Sequence, residues 1–262
     1  TMKPIFPLAM MLILLGAIPL ASAQVRVCAV YVTGIGCSNC AVTDPVVTSG
    51  LTAKNPDYIV IEYEIFHRNA DNYLTAEDYF NNYAPSGVPH GVPFLILGDG
   101  NSYIGRSEVL GTEGVIVDMI SNDCPMPDGS SVEFESLDIT ALSGEPNIWS
   151  KNRVLVSEGG GGDNNLLRDL IFEEDITDLL KGMGYEEVST VPVQISGSQV
   201  NFEHAVRLDG WIFQWNGEGL DGNNSGDNGG NGNAQYAVSL YSVAAVLVIV
   251  VVGLFVYFAR FR

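Results

Sequence analysis

Basic side chains are scarce in this chain: 12 Lys and Arg stand against 31 Asp and Glu in 262 residues, a net charge of −19. Polyanions are held by clustered cations, so this balance excludes nucleic acid as a partner. The acids themselves are scattered, as at Glu173-Glu174-Asp175 and Glu186-Glu187. They read as a solvated face that stays soluble and is repelled by anionic lipid. A phosphate cradle is also missing. The glycine run at 159–162 has no lysine after it and no strand–helix setting, so it is a loop and not a P-loop. Cysteine is limited to four residues, and histidine to His67, His90 and His204.

Long uncharged apolar runs are confined to the two ends. Residues 2–23 carry one early charge, Lys3, an apolar centre broken by Pro7, Gly16 and Pro19, and a closing Ala21-Ser22-Ala23. That order predicts a secretory signal peptide over 1–23. Residues 237–258 are uncharged and rich in Val, Leu, Ile and Ala; a helix of that length spans roughly 33 Å, enough for a hydrocarbon core. Tyr236, Tyr241 and Tyr257 lie near its ends, and Arg260 and Arg262 follow. Aromatic belts and the positive-inside rule then predict a single-pass anchor over 236–262, with the C-terminus cytoplasmic and everything before it extracytoplasmic. Residues 216–235 are almost entirely Gly, Asn, Asp and Ser and predict a flexible linker. Asn223-Asn224-Ser225 within it is a glycosylation acceptor motif.

Between the ends the sequence suggests two folded regions, 24–125 and 126–215. The first alternates signals: a β-branched strand at 25–32, a helix after Cys40 interrupted by Pro45, and a strand at 58–66. A helix at 75–83 capped by Thr75, strands at 94–97 and 102–105, and a helix at 113–121 follow. This order indicates an α/β domain. The second region predicts strands at 132–142, 154–157, 188–195 and 200–213 around one helix at 166–181, a smaller β-rich α+β unit with no assignable chemistry.

The chemistry lies in Cys37-Ser38-Asn39-Cys40. Two thiols at this spacing close a small disulfide ring or clamp a soft metal, depending on the scaffold. In an exported chain four cysteines fit two disulfides, or one structural and one reactive pair. A strand ends at this C-x-x-C, a helix opens from it, and Pro45 follows Cys40 by five residues. About fifty residues further on comes Gly91-Val92-Pro93-Phe94. In this order the motifs resemble the thioredoxin superfamily over about a hundred residues from 25 onward.

That resemblance implies a thioredoxin-like fold followed by the β-rich region and a C-terminal transmembrane helix. It implies Cys37 as attacking thiolate at a helix N-terminus, Cys40 as resolver, and a cis Pro93 facing them. It implies a structural disulfide between Cys28, low on the first strand, and Cys124, where the last helix returns. Gly36 and Ser38-Asn39 replace the family's tryptophan and Gly-Pro, and Phe94 replaces the threonine after the proline. The family's buried proton acceptor falls on Tyr31; Glu62 or Glu64 on the next strand is the substitute on offer. His90, three residues before Pro93, is either a thiolate-stabilising neighbour or a surface histidine.

The implied function is extracytoplasmic thiol–disulfide exchange with exported protein thiols or disulfides and a further redox partner, needing no cofactor or metal. Two other readings stay open. Thr33–Ala41 is similar to the G-M-x-C-x-x-C loop of heavy-metal-associated copper domains, with Ile35 in place of the methionine. A thioredoxin-fold binding or adhesion protein with a static disulfide is the other.

Overall fold

The computed structural model describes residues 26–67, 70–98, 100–119 and 121–220. The expected leader, residues 221–235 of the linker with Asn223, and the expected anchor lie outside the described residues. Among the described residues no helix is long and apolar enough to cross a membrane.

The body is a mixed α/β structure on one large sheet. In chain order the elements that matter are β1 (Val27–Thr33), α1 (Cys40–Pro45), a π turn (Val46–Gly50), α2 (Leu51–Lys54) and β2 (Tyr58–Glu64). Then come α3 (Ala70–Tyr83), β3 (Phe94–Gly98), β4 (Asn101–Ile104), α4 (Arg106–Leu110), α5 (Glu113–Asp118), β5 (Cys124–Pro125) and β6 (Ser131–Val132). The remainder is β7 (Asn147–Ser150), β8 (Arg153–Ser157), α6 (Asn164–Phe172), α7 (Ile176–Gly182), β9 (Val193–Ile195), β10 (Ser198–Val200), β11 (His204–Leu208) and β12 (Trp211–Trp215). The main sheet has eight strands in the order β11-β12-β8-β7-β2-β1-β3-β4. Among the described strands of this sheet only β1 and β2 pair in parallel; β3 and β7 flank them antiparallel.

β1 and β2 are buried along their whole length, as expected of central strands covered on both faces. Their side chains alternate between two cores. Cys28, Val30, Val32, Ile59, Ile61 and Tyr63 meet Tyr79 and Phe80 of α3 and Leu170 and Leu180 of α6 and α7. On the other face Ala29, Tyr31, Tyr58 and Val60 meet Val47, Leu51, Val109 and, from β9, Val193 and Ile195. Pro45 cannot donate an amide hydrogen, and the helix opens into a π turn directly after it.

The sheet runs across the boundary expected at 125, because β7 pairs with β2. Residues 132–142, expected as a strand, instead form short 3-10 turns at Phe134–Ser136 and Ile139–Ala141. There the Asp138 side chain accepts from the Thr140 amide at 3.0 Å, a local bond that competes with strand pairing. The helix expected at 166–181 is two helices, each started by its own aspartate cap, Asp163 and Asp175. The strand expected at 188–195 begins only at Val193, after Pro192, which has no hydrogen to give a ladder. Thr75 is not a cap: α3 starts at Ala70, and the Thr75 hydroxyl donates back to the Asp71 carbonyl at 2.9 Å. The start of the expected linker is tied down, since Trp215 Nε1 donates to Glu218 O at 2.9 Å and Gly217 N to Glu203 Oε2 at 3.0 Å.

The β9–β10 hairpin lies on α1. Gly197 at its tip has φ +78, and a β-carbon there would sit 2.7 Å from Ala41 Cβ. Gly197→Ala therefore meets both a left-handed backbone penalty of about 1–2 kcal/mol and a clash. Gly87, at φ +81 in open space, meets the backbone penalty alone. Urea midpoints are expected to fall further for Gly197→Ala than for Gly87→Ala; equal losses would mean the hairpin does not press on α1.

Candidate active site

β1 delivers its chain end to a short loop whose geometry depends on Gly36, at φ +91, a conformation open to glycine at little cost. Cys37 follows, half-buried, and Cys40, one turn on, is 0% exposed. The two are disulfide-bonded, with Cα atoms 5.2 Å apart. The Cys40 amide points at Cys37 Sγ from 3.2 Å, and the Val92 carbonyl oxygen lies 3.8 Å from the same sulfur. The Val92–Pro93 peptide is cis. The three residues Cys37, Cys40 and Pro93 thus come together.

Beneath them is a carboxyl group that the sequence reading missed. Asp44 lies one helical turn after Cys40, which puts the two side chains on one face of α1. It is 0% exposed. Its Oδ1 accepts from the Tyr31 hydroxyl at 2.7 Å and the Thr33 hydroxyl at 2.6 Å, and its Oδ2 from the Ser196 amide at 2.7 Å. Burial pushes this carboxyl above its ordinary range; the bonds from Thr33, Tyr31 and Ser196 pull it down, and the Glu64 charge pushes it up again. Burial, then the Asp44 charge, holds the Tyr31 hydroxyl well above its own range, so it stays a donor. Tyr31 occupies the place expected for an acid, and the acid it binds comes from the helix instead.

Ser196, wholly buried, extends this network to the reactive loop. Its hydroxyl lies 2.8 Å from Gly34 O and 3.2 Å from Cys37 O. Glu64 braces the loop's other side, accepting from the amides of Ile35 at 2.8 Å, Phe66 at 2.9 Å and His67 at 2.8 Å. Glu62 accepts from Asn147 and Trp149 on β7. These bonds make Glu64 a loop brace and join Glu62 to the sheet extension. His90 stacks on Phe80 with ring centroids 5.0 Å apart, and Phe80 stacks on Phe94; its ring belongs to that aromatic column.

Cys28 and Cys124 form the second disulfide, with Cα atoms 4.9 Å apart and both residues 0% exposed. It joins β1 to β5. Among the described residues no group of three or more His, Cys, Asp or Glu side chains converges as a metal site, so the copper reading would rest on Cys37 and Cys40 alone. A cysteine pair with one half-buried residue, one wholly buried residue and a buried carboxyl one turn away can carry out disulfide exchange coupled to proton transfer. Compared with known families, curated proteins and solved structures, the chain matches none.

Proposed function

We propose that this chain is an extracytoplasmic, membrane-tethered thiol–disulfide oxidoreductase built on a thioredoxin-like core. The observation that carries the reading is the asymmetry of the cysteine pair, with Cys37 accessible beside cis-Pro93 and Cys40 buried one turn from Asp44. The order of β1, C-x-x-C, broken helix and cis proline supports the likeness to thioredoxins.

In the reducing direction the Cys37 thiolate attacks a substrate disulfide. One substrate sulfur leaves as a thiolate and a Cys37–substrate disulfide forms. Cys40 then gives its proton to Asp44 and attacks Cys37 Sγ, closing the Cys37–Cys40 disulfide and expelling the second substrate sulfur as a thiolate, which takes a proton from water. Two electrons pass from the dithiol to the substrate. In the oxidising direction every step reverses, and Asp44 returns the proton to Cys40. A carboxyl held above its ordinary range suits this exchange, because its affinity for the proton lies closer to that of a thiol.

The test is insulin reduction by the full chain with dithiothreitol as electron source. The chain is expected to accelerate precipitation of the insulin B chain, and alkylation of reduced Cys37 and Cys40 to remove the acceleration. A rate equal to dithiothreitol alone would leave the static-disulfide binding protein as the better account.

Asp44→Asn probes the proton route. The Asn oxygen can still meet the Ser196 amide, and the Tyr31 and Thr33 hydroxyls can turn to accept from its nitrogen, but it cannot take a proton. Turnover is expected to fall by about 10²-fold or more, while Cys37 alkylates at the wild-type rate. Stability supplies the sign check. Folding raises the Asp44 pKa, so the folded state holds this proton where the unfolded chain has released it. The contribution favours the folded state at low pH and is lost as pH rises through the folded pKa. Urea midpoints across the acid-to-neutral range are expected to move in the Asn variant's favour as pH rises; a difference independent of pH would refute the raised carboxyl.

A further inference from the structure

The Tyr31 hydroxyl stands between two oxygens and has one hydrogen to give. Asp44 Oδ1 lies 2.7 Å away on one side and Thr43 Oγ1 2.7 Å away on the other. That length suits O–H···O bonding in either direction. The Thr43 hydroxyl reaches onward, 3.3 Å from both Asn39 O and Cys40 O in the turn that carries the cysteines. Tyr31, Thr43 and Asp44 are all 0% exposed, so their hydrogens have to be matched within this row of oxygens.

Two arrangements match them, and they differ by one proton. With Asp44 ionised, Tyr31 donates to Oδ1 and Thr43 donates to Tyr31. With a proton on Oδ1, the carboxyl donates to the Tyr31 oxygen and Tyr31 donates to Thr43. Thr43 then donates to the carbonyl of Asn39 or Cys40. Each hydroxyl keeps its own hydrogen and only turns it, since a hydroxyl both donates and accepts. No heavy atom has to move. The Ser196 amide on Oδ2 can only donate, and Thr33 donates to Oδ1 in both arrangements. The other groups facing the carboxyl are Cys40, one turn back on α1, and the Glu64 carboxylate.

We propose that Tyr31 and Thr43 are positioning residues for Asp44, forming a hydroxyl chain that reverses when the carboxyl takes up a proton and so lets it hold one in a buried site. That this proton comes from Cys40 rests on the exchange reading.

Thr43→Val separates the reversible chain from plain scaffolding. With Asp44 ionised, the variant loses one bond, from Thr43 to Tyr31. With Asp44 protonated it loses two, and the Tyr31 hydrogen is left unmatched, so the protonated form suffers more. If Thr43 only held Tyr31 in place as a donor, its loss would weaken the bond to the carboxylate and favour the protonated form instead. The sign decides.

The test follows the Asp44 side-chain carboxyl carbon by NMR through a pH titration of the isotope-labelled full chain. Its signal is identified by its absence from Asp44→Asn. The oxidised chain is used, so neither Cys37 nor Cys40 titrates. Thr43→Val is expected to weaken the hold of Asp44 on its proton roughly fivefold or more, and Thr43→Ser to restore it. Tyr31→Phe removes a donor to the carboxylate and is expected to move the titration the opposite way. Thr43→Ala removes the same hydroxyl as the valine variant, carries the same expected sign, and decides the matter if that variant folds poorly. An unchanged or strengthened hold on the proton overturns the chain. Insulin reduction by the wild type is run alongside. Reduction together with an unmoved titration overturns the chain alone; the expected shifts without any insulin reduction overturn the oxidoreductase reading, and Cys40 as the source of the proton with it.

Discussion

Cys40→Ser is expected to turn the chain into a covalent trap, accumulating a mixed disulfide between Cys37 and substrate, while Cys37→Ser is expected to accumulate none. The difference comes from access. Cys37 is half-buried, and Cys40 is 0% exposed behind it. A substrate disulfide can therefore approach the first sulfur and not the second. Attack by a Cys37 thiolate is helped by the Cys40 amide, 3.2 Å from the sulfur, since a charge-assisted bond is among the stronger ones. In the proposed exchange nothing resolves the adduct without the Cys40 thiol, and turnover is expected to drop to the uncatalysed rate in both variants. Non-reducing electrophoresis and intact mass after incubation with insulin separate the cases. An adduct of equal yield through Cys40 in the Cys37→Ser chain would sink the assignment of roles, and no adduct in either variant would favour a static disulfide.

Removing the other disulfide is expected to cost stability rather than chemistry. Cys28 and Cys124 are separated by 96 positions, and closing a loop of about a hundred residues restricts the unfolded chain by about 4.7 kcal/mol in the chain-entropy treatment. The pair is fully buried between β1 and β5, so alanine leaves no unpaired polar atom. For a body of this size the loss corresponds to a fall on the order of 10–15 °C in melting temperature. Cys28→Ala/Cys124→Ala is expected to keep its insulin activity below the melt. Calorimetry with and without dithiothreitol provides the measurement. A double variant that melts with the wild type would show that the cross-link constrains nothing. The Cys37–Cys40 pair, with one half-buried residue, is expected to yield to mild reductant first, leaving the wholly buried Cys28–Cys124 intact.

What could be read from the residues followed from local order. β1, the C-x-x-C and the break at Pro45 are written within short windows, while the cis bond before Pro93 was implied only by the resemblance those windows carry. The Cys28–Cys124 pairing was reachable only through the resemblance to thioredoxins, which implies where the last helix returns. Asp44 escaped notice because a single acid before a proline reads as solvated, and charged side chains are almost never fully buried without partners. Its partners are Tyr31, 13 positions earlier, and Ser196, 152 positions later; no window joins them. The second region failed for a related reason. β7 is four residues long and carries little period-two signal, yet it extends the central sheet.

The grip of Ser196 on the reactive loop ties two quantities into one thermodynamic cycle. The hairpin bonds to Asp44 and to the carbonyls of Gly34 and Cys37. Closing or opening the Cys37–Cys40 bond therefore takes place inside that grip. If the hairpin holds one redox form more tightly, its docking equilibrium and the reduction potential must shift by the same free energy, about 30 mV for each 1.4 kcal/mol. In that case, whatever tugs residues 193–200 would retune the electron affinity of the dithiol, and loading the dithiol with electrons would alter how readily that segment can be pulled away.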